Sequence, residues 1–312
     1  MPIAEHDPWR LQYFERVACP AHVRIPTDDG DAWAWYPDER WVYDKIAVAL
    51  SQGFVAGPHG LSPPSFPGFS KPIMNLRGMG TDSRSLASQA EYRAHQKPGH
   101  MWMPLFAGEH VSTDVALVRG RPQWWRHVVG IEGEGGTFEA WVVLAQARPA
   151  LESYCGRWLE QHLAGYSGLV NLETIGARII EVHLRFADQW PDLYGGDAWV
   201  TAVVELYANE QWTFAEQTRR DGYSVPLFGR HGFRYRHPPL DLQAKARHEA
   251  GVTSLQITFH EDWEPAWHAM PPGGFRLAIA NGHDLGGCRR AVEHLRPWHE
   301  ANRVATAPSG GK

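Results

Sequence analysis

YSGLVNLETIGARIIEVHLR, running from Tyr166 to Arg185, holds two apolar strands around a glycine-containing turn, and each strand carries a carboxylate. Glu173 sits among Leu169, Leu172 and Ile175, and Glu181 follows Ile179 and Ile180. A carboxylate set in an apolar strand is costly unless it is paired or binds a metal. A three-residue loop, Gly176 to Arg178, puts Glu173 and Glu181 directly opposite each other on one face. His183 then faces Asn171, with Arg185 one step further along. Two facing carboxylates repel, and a divalent cation between them removes the repulsion. Oxygen ligands of this kind suit Mg²⁺ that also holds ATP phosphates. The plainer reading, two solvent-facing glutamates, fits less well because apolar residues flank both positions on both strands.

Working outward, the elements alternate. A helix is expected near 149–164, with Leu151, Tyr154, Cys155, Trp158, Leu159 and Leu163 on one side, and another near 197–208. Strands are expected near 71–75, 101–106, 111–119 and 137–146, with a helix near 85–95 and a turn at Gly120. Val42, Ile46, Ala49 and Leu50 recur at helical spacing up to Gln52, and Gly53 offers a stop. Residues 1–40 form an Asp- and Trp-rich lead-in able to supply a strand or two, and 57–70 is a Pro- and Gly-rich connector. Beyond 210, strand-like pieces fall at 223–228 and 253–259 around a polar, His- and Arg-rich middle. A final strand at 275–280 leads through Asn281-Gly282 into a helix reaching Leu295.

Composition bounds the function. The chain has 312 residues, 43% hydrophobic and 21% charged, in the range of globular proteins. A net charge of −5 gives no bulk attraction to nucleic acid or acidic membranes. No apolar run approaches membrane-spanning length, and Met1 to Arg10 has no apolar signal core. Cys19, Cys155 and Cys288 are too sparse for a disulfide framework, which points to the reducing cytoplasm. The 15 Trp residues suit a core rich in large aromatics first and an aromatic-lined substrate pocket second. His260, Glu261, Asp262 and His268 lack HExxH spacing, so they do not read as a zinc site.

Glu173 followed by Glu181-Val182-His183-Leu184-Arg185 resembles the ATP-grasp superfamily, whose signature is an acidic residue on one strand and Glu-X-Asn-X-Arg on the next. The motifs are nearest the biotin carboxylase and glycinamide ribonucleotide synthetase branch. Other segments follow in the order that family needs. Asp44-Lys45 resembles the Asp-Lys opening the nucleotide-binding region, and Phe69-Ser70-Lys71-Pro72-Ile73 the Lys-Pro strand. Asn75 to Ser83 resembles the small-residue loop over the triphosphate, where Gly78 and Gly80 let backbone N–H groups approach phosphate and Arg77, Thr81 and Ser83 add donors. Trp102 to Asp114 resembles the hinge strand under the adenine and the Ser-X-Asp strand after it. The match covers about residues 42–208 and, more loosely, 272–297.

The resemblance implies an α/β fold, α+β in the looser sense, with two lobes of mixed or antiparallel sheet clasping ATP. Its divisions are a reduced N-terminal region at 1–66, a small lobe at 67–147, a large lobe at 148–303 and a disordered tail at 304–312. It implies that Glu173, Glu181 and His183 hold Mg²⁺, with Mn²⁺ open because His183 replaces the usual Asn. Lys45, Lys71 and the loop residues would hold the phosphates, and Arg185 the acyl intermediate or transferring phosphate. Met103 and Leu105 would read the adenine edge, with Pro104 in place of the usual acidic residue, and Glu109 (or His110) would accept from the ribose. The implied activity is ligation of a small-molecule carboxylate, through an acyl phosphate, to an amine or thiol, with a homodimer compatible. Phosphotransfer, carboxyphosphate chemistry and a non-catalytic ATP-binding subunit stay open beside it.

Overall fold

A computed structural model describes residues 7–76, 82–132, 138–216, 218–263, 268 and 275–306. In chain order the helices are α1 (Pro8–Leu11), α2 (Asp29–Trp35), α3 (Lys45–Ser51), α4 (Gln89–Ala94), α5 (Pro149–His162), α6 (Gly196–Asn209), α7 (Leu240–Arg247) and α8 (Leu285–Ala301). The strands are β1 (Gly57–Pro58), β2 (Gly68–Pro72), β3 (Arg84–Leu86), β4 (His100–Pro104), β5 (His110–Val118), β6 (Arg121–Glu132) and β7 (Phe138–Val143). They continue with β8 (Gly168–Ile175), β9 (Arg178–His183), β10 (Gly222–Phe228), β11 (Phe233–Arg234), β12 (Val252–Ile257), β13 (Arg276–Gly282) and β14 (Val304–Ala305).

Local chemistry explains several boundaries. Asp44 caps α3, its carboxylate accepting from the amides of Ile46 and Ala47, and Asp284 caps α8 through Gly287. α5 starts at Pro149, where the missing N–H costs nothing, and buries Leu151, Cys155, Trp158 and Leu159 at helical spacing.

All strand pairing among the described residues is antiparallel. A small sheet has the order β1-β4-β2-β3, and a large one runs β12-β13-β10-β7-β6-β5-β8-β9. One face of the large sheet packs Val115, Leu117, Val170 and Leu172 under α5 and the 3₁₀ turn at Arg40–Tyr43. The other packs Ala116, Trp124, Val128 and Leu169 against α6, where Trp124, Tyr194 and Trp199 meet edge to face or tilted. Much of the tryptophan content is therefore core. α7 and α8 cover the far end of the sheet.

Four expectations differ from this arrangement. β5 and β7, expected with the strands of the 67–147 lobe, are central strands of the large sheet. β6 was not anticipated: Pro122, Arg126, His127 and Gly130 break its apolar alternation, although Arg126 and His127 are buried. The lead-in supplies helices α1 and α2 in place of strands, and the polar middle of 210–270 contains α7. Val304 and Ala305, assigned to the disordered tail, pair with Arg234 and Phe233.

Candidate active site

The β8–β9 hairpin brings the two carboxylates together by a route the sequence alone did not show. The connection is a two-residue turn, Gly176-Ala177, both residues at positive φ, which pairs Ile175 with Arg178. A one-residue register shift beside Thr174 then leaves Ile180 as the extra residue. The bulge restores the offset, so Glu173 pairs with Glu181 and Asn171 with His183, as the three-residue loop would have done. Gly108 and Gly176 fit this corner because a Cβ on Gly108 would lie 2.6 Å from the Cα of Gly176.

β9 is a sheet edge, and side chains complete its hydrogen bonding. The Gln52 amide accepts from the N–H of Ile179 at 2.8 Å and donates to its carbonyl at 2.8 Å, docking the end of α3. Lys71 donates to the carbonyl of the bulged Ile180 at 2.8 Å. The end of α3 and strand β2 are thereby fastened to the carboxylate hairpin.

The charges converge there. Lys45 Nζ lies 3.8 Å and Lys71 Nζ 3.7 Å from Glu181 Oε1, and both lysines are buried. Burial lowers the Lys71 pKa to about 8, with Glu181 resisting and Lys45 adding to the fall. His110 Nε2 stands 2.5 Å from Glu173 Oε2. Burial would raise Glu173, but His110 outweighs it and leaves the carboxyl below its ordinary value; Glu173 in turn overcomes burial to raise His110. A basic side chain thus faces each carboxylate.

A second layer supports the first. His183 Nε2 is 3.8 Å from Glu181 Oε2, while its Nδ1 is 3.0 Å from Asp29 Oδ1. Asp29 also receives the Tyr43 hydroxyl at 3.2 Å and the Arg185 fork, Nε at 3.0 Å and Nη2 at 3.1 Å. Burial works to raise Asp29, yet Arg185 and His183 hold it far below the usual carboxylate range. Along β5, Asp114 accepts from Asn171 Nδ2 at 2.8 Å, from the Ala187 amide at 3.0 Å and from the Tyr194 hydroxyl at 2.7 Å. Burial raises the Asp114 pKa to about 6, with Tyr194 and Asn171 opposing.

Among the sequence-derived residues, Lys45, Lys71, Glu173, Glu181 and His183 meet at this hairpin, and Arg185 is tied to His183 by Asp29. Met103 is buried beside Ala49 and Met101, with partly buried Ile73, Phe106 and Ile180 around them, whereas Leu105 is exposed. Glu109 forms an ion pair with Arg148 at 3.2 Å, and its neighbour His110 is the residue that reaches Glu173. Ser83 lies directly before β3; Arg77, Gly78, Gly80 and Thr81 fall outside the described residues. Sequence reasoning missed Asp29, whose Asp-Asp-Gly-Asp setting reads as a surface cap, and took Asp114 only as the end of the Ser-X-Asp strand, without the network that its pairing with Asn171 marks.

The donor set can be weighed against a metal. Among the described residues, no three His, Cys, Asp or Glu side chains are grouped as a metal cage. Two facing carboxylates with lysines at hand suit Mg²⁺ instead, which keeps waters and shares its shell with phosphates. The hydrogen bond of His183 Nδ1 to Asp29 places that ring as a support for Glu181.

No family model matches the sequence, and no curated protein matches it. Solved structures do. The phosphoribosylamine–glycine ligase of Thermotoga maritima superposes with a TM-score of 0.60 at 15% identity, over 92% of this chain and 84% of that one. The L-amino acid ligase of Bacillus licheniformis gives 0.57 at 11% identity, over 81% and 69%. A carboxyaminoimidazole ribonucleotide synthase of Aspergillus clavatus, complexed with ATP, gives 0.55 at 11% identity, over 89% and 75%. The small sheet, the large sheet and the carboxylate hairpin between them give this chain the ATP-grasp fold.

Proposed function

We propose that the protein is an ATP-dependent ligase that activates a small carboxylate as an acyl phosphate and joins it to an amine or a thiol. One observation carries the reading: Glu173 and Glu181 are register partners, and Lys45 and Lys71 from two other elements close on Glu181. A bare carboxylate pair would be repulsive and a bare lysine pair equally so. Together they form a site that exchanges one charge partner for another when phosphates and a divalent cation enter. The neighbours named above, two of them ligases by title, support the same reaction class.

In this scheme the substrate carboxylate oxygen bonds to the γ-phosphorus as the bond to the bridging oxygen breaks and ADP departs. The amine or thiol then attacks the acyl carbon and phosphate leaves. Lys45 and Lys71 take phosphate oxygens and spread the developing charge. Bound Mg²⁺, on Glu173 and Glu181, would supply charge neutralisation and alignment. Arg185 has N–H groups to spare beyond its contacts with Asp29 and the Phe186 carbonyl, and so can steady an acyl-phosphate oxygen. The apolar residues around Met103 would seat the adenine.

The deciding experiment is a screen of carboxylate and amine or thiol pools with Mg²⁺ and ATP, reading ADP release and product mass. ADP release that needs both an acid and a nucleophile is expected. ADP release with an acid alone and no adduct would favour phosphotransfer.

A further inference from the structure

A second group of charges lies past Arg185, outside the carboxylate hairpin. A cavity of about 150 Å³ opens among α1, the segment after β9, and strands β12 and β13. Its wall includes Arg10, Asp188, Gln256, Thr258, Trp263 and Arg276. Arg10 is ion-paired with Asp188 and, at 3.3 Å, with Asp7. Gln256 donates to the Gln189 carbonyl at 2.6 Å, and Thr258 to the Arg276 carbonyl at 2.8 Å. These groups hold the cavity's shape.

Arg276 is different. Its half-buried guanidinium has no hydrogen bond or ion pair among the described residues. Burial lowers its pKa, Asp188 opposes, and Arg10 and Arg185 lower it further. Asp188 is itself pulled below its ordinary value despite burial, by Arg10, Arg276 and Arg185 in turn. Three guanidiniums therefore share the neighbourhood of Asp188; two of them, Arg10 and Arg276, line the cavity, and with Arg10 held by Asp7 and Asp188 it is Arg276 whose planar fork can take an anion. That fork matches a carboxylate.

Trp9, Trp263 and His268 make part of the lining aromatic, with His260 packed against both tryptophans. Trp9 and His260 lie 5.1 Å apart between ring centroids, His260 and Trp263 4.3 Å, and Trp263 and His268 5.8 Å. A cavity of this size accommodates a single ring, as cavities of about 150 Å³ bind benzene, and is too small for a nucleotide or a peptide. We propose that this cavity is the acid-substrate subsite, taking a monocyclic aromatic carboxylate with its carboxylate on Arg276 and its ring along Trp9 and Trp263. The assignment rests on the ligase reading only for the fate of the acid. Arg276 and Arg185 both act on the Asp188 charge, which links the cavity to the Arg185 side of the proposed ATP site.

Calorimetry on the full chain tests it with benzoate, benzamide, acetate and inorganic phosphate. Benzoate should saturate, with benzamide and acetate each at least about tenfold weaker, and Arg276→Gln should weaken benzoate roughly ten- to a hundredfold while Arg276→Lys keeps part of the affinity. Benzamide binding as well as benzoate, phosphate displacing benzoate on equal terms, or an unchanged Arg276→Gln would each overturn the assignment. If Arg276→Gln loses its circular-dichroism spectrum, Trp263→Ala decides, because that side chain is exposed and its removal spares the core. It should weaken benzoate and leave acetate unchanged; unchanged benzoate binding overturns the proposal. Benzoate binding with no ADP release from any acid and nucleophile would leave the subsite standing and remove the ligase. An acid that drives ADP release with a KM untouched by Arg276→Gln would do the reverse.

Discussion

Glu173 and Glu181 are direct cross-strand partners, held in register by a bulge at Ile180 whose carbonyl accepts from Lys71. The lysine that would grip phosphate is thus also what fixes the carboxylate pair. Glu181→Gln should cut turnover by about 10²–10³-fold, the loss expected when one charged group leaves the transition-state site. Facing carboxylates considered alone suggest that this change relieves repulsion and stabilises the protein without ATP. Lys45 and Lys71 reverse that expectation, since both would lose their carboxylate partner while buried. Thermal unfolding should show a melting temperature lower by several degrees with the fold retained; normal turnover in the variant would make the pair structural.

Lys71→Ala should weaken ATP binding roughly ten- to a hundredfold by calorimetry, because a buried cation is lost from the phosphate site. Lys245→Ala, on the exposed side of α7, should leave ATP binding unchanged. Equal effects of the two would disconnect β2 from the nucleotide.

His183→Asn restores the residue usual in the signature but removes the ring that spans Asp29 and Glu181. The expected result is an active protein whose half-saturating Mg²⁺ concentration rises about 10–100-fold, the usual range for loss of a residue supporting a metal ligand. Asp29→Asn should move the same curve in the same direction, since it frees both His183 and Arg185. A Mg²⁺ titration unmoved in both variants would show that this layer only supports the fold.

Asp114 supplies a pH test of stability. Its folded pKa is raised by burial to about 6, above the ordinary carboxylate range, so the folded state favours the protonated form. Its contribution is fully present below the unfolded value and is lost as pH rises through about 6. Wild-type unfolding free energy should carry a falling term between about pH 4 and pH 6, at most roughly 3 kcal/mol from this group. Asp114→Asn, which cannot titrate, should lack that term in denaturant unfolding series; an identical pH slope in both proteins would assign it elsewhere.

Residues 166–185 determined the central feature by themselves. Strand periodicity, a glycine turn and an eight-position spacing of two glutamates are local properties, and they place Glu173 opposite Glu181. α5 and α6 were equally legible, because an apolar stripe at helical spacing is written into the sequence that buries it. The tertiary structure decided what surrounds the carboxylates. Asp29, His110 and Arg276 have ordinary local contexts, and their roles arise from contacts across 154 residues in the pair His183–Asp29 and across the sheet in the pair His110–Glu173. β6 was hidden for a related reason. Arg126 and His127 look like surface residues until Glu216, brought from 90 positions away, and Glu152, from 25 away, supply the partners that allow them to be buried. Local pattern fixes which elements form; the pairing of buried charges, which needs distant chain segments, fixes which sheet they join and what the site can hold.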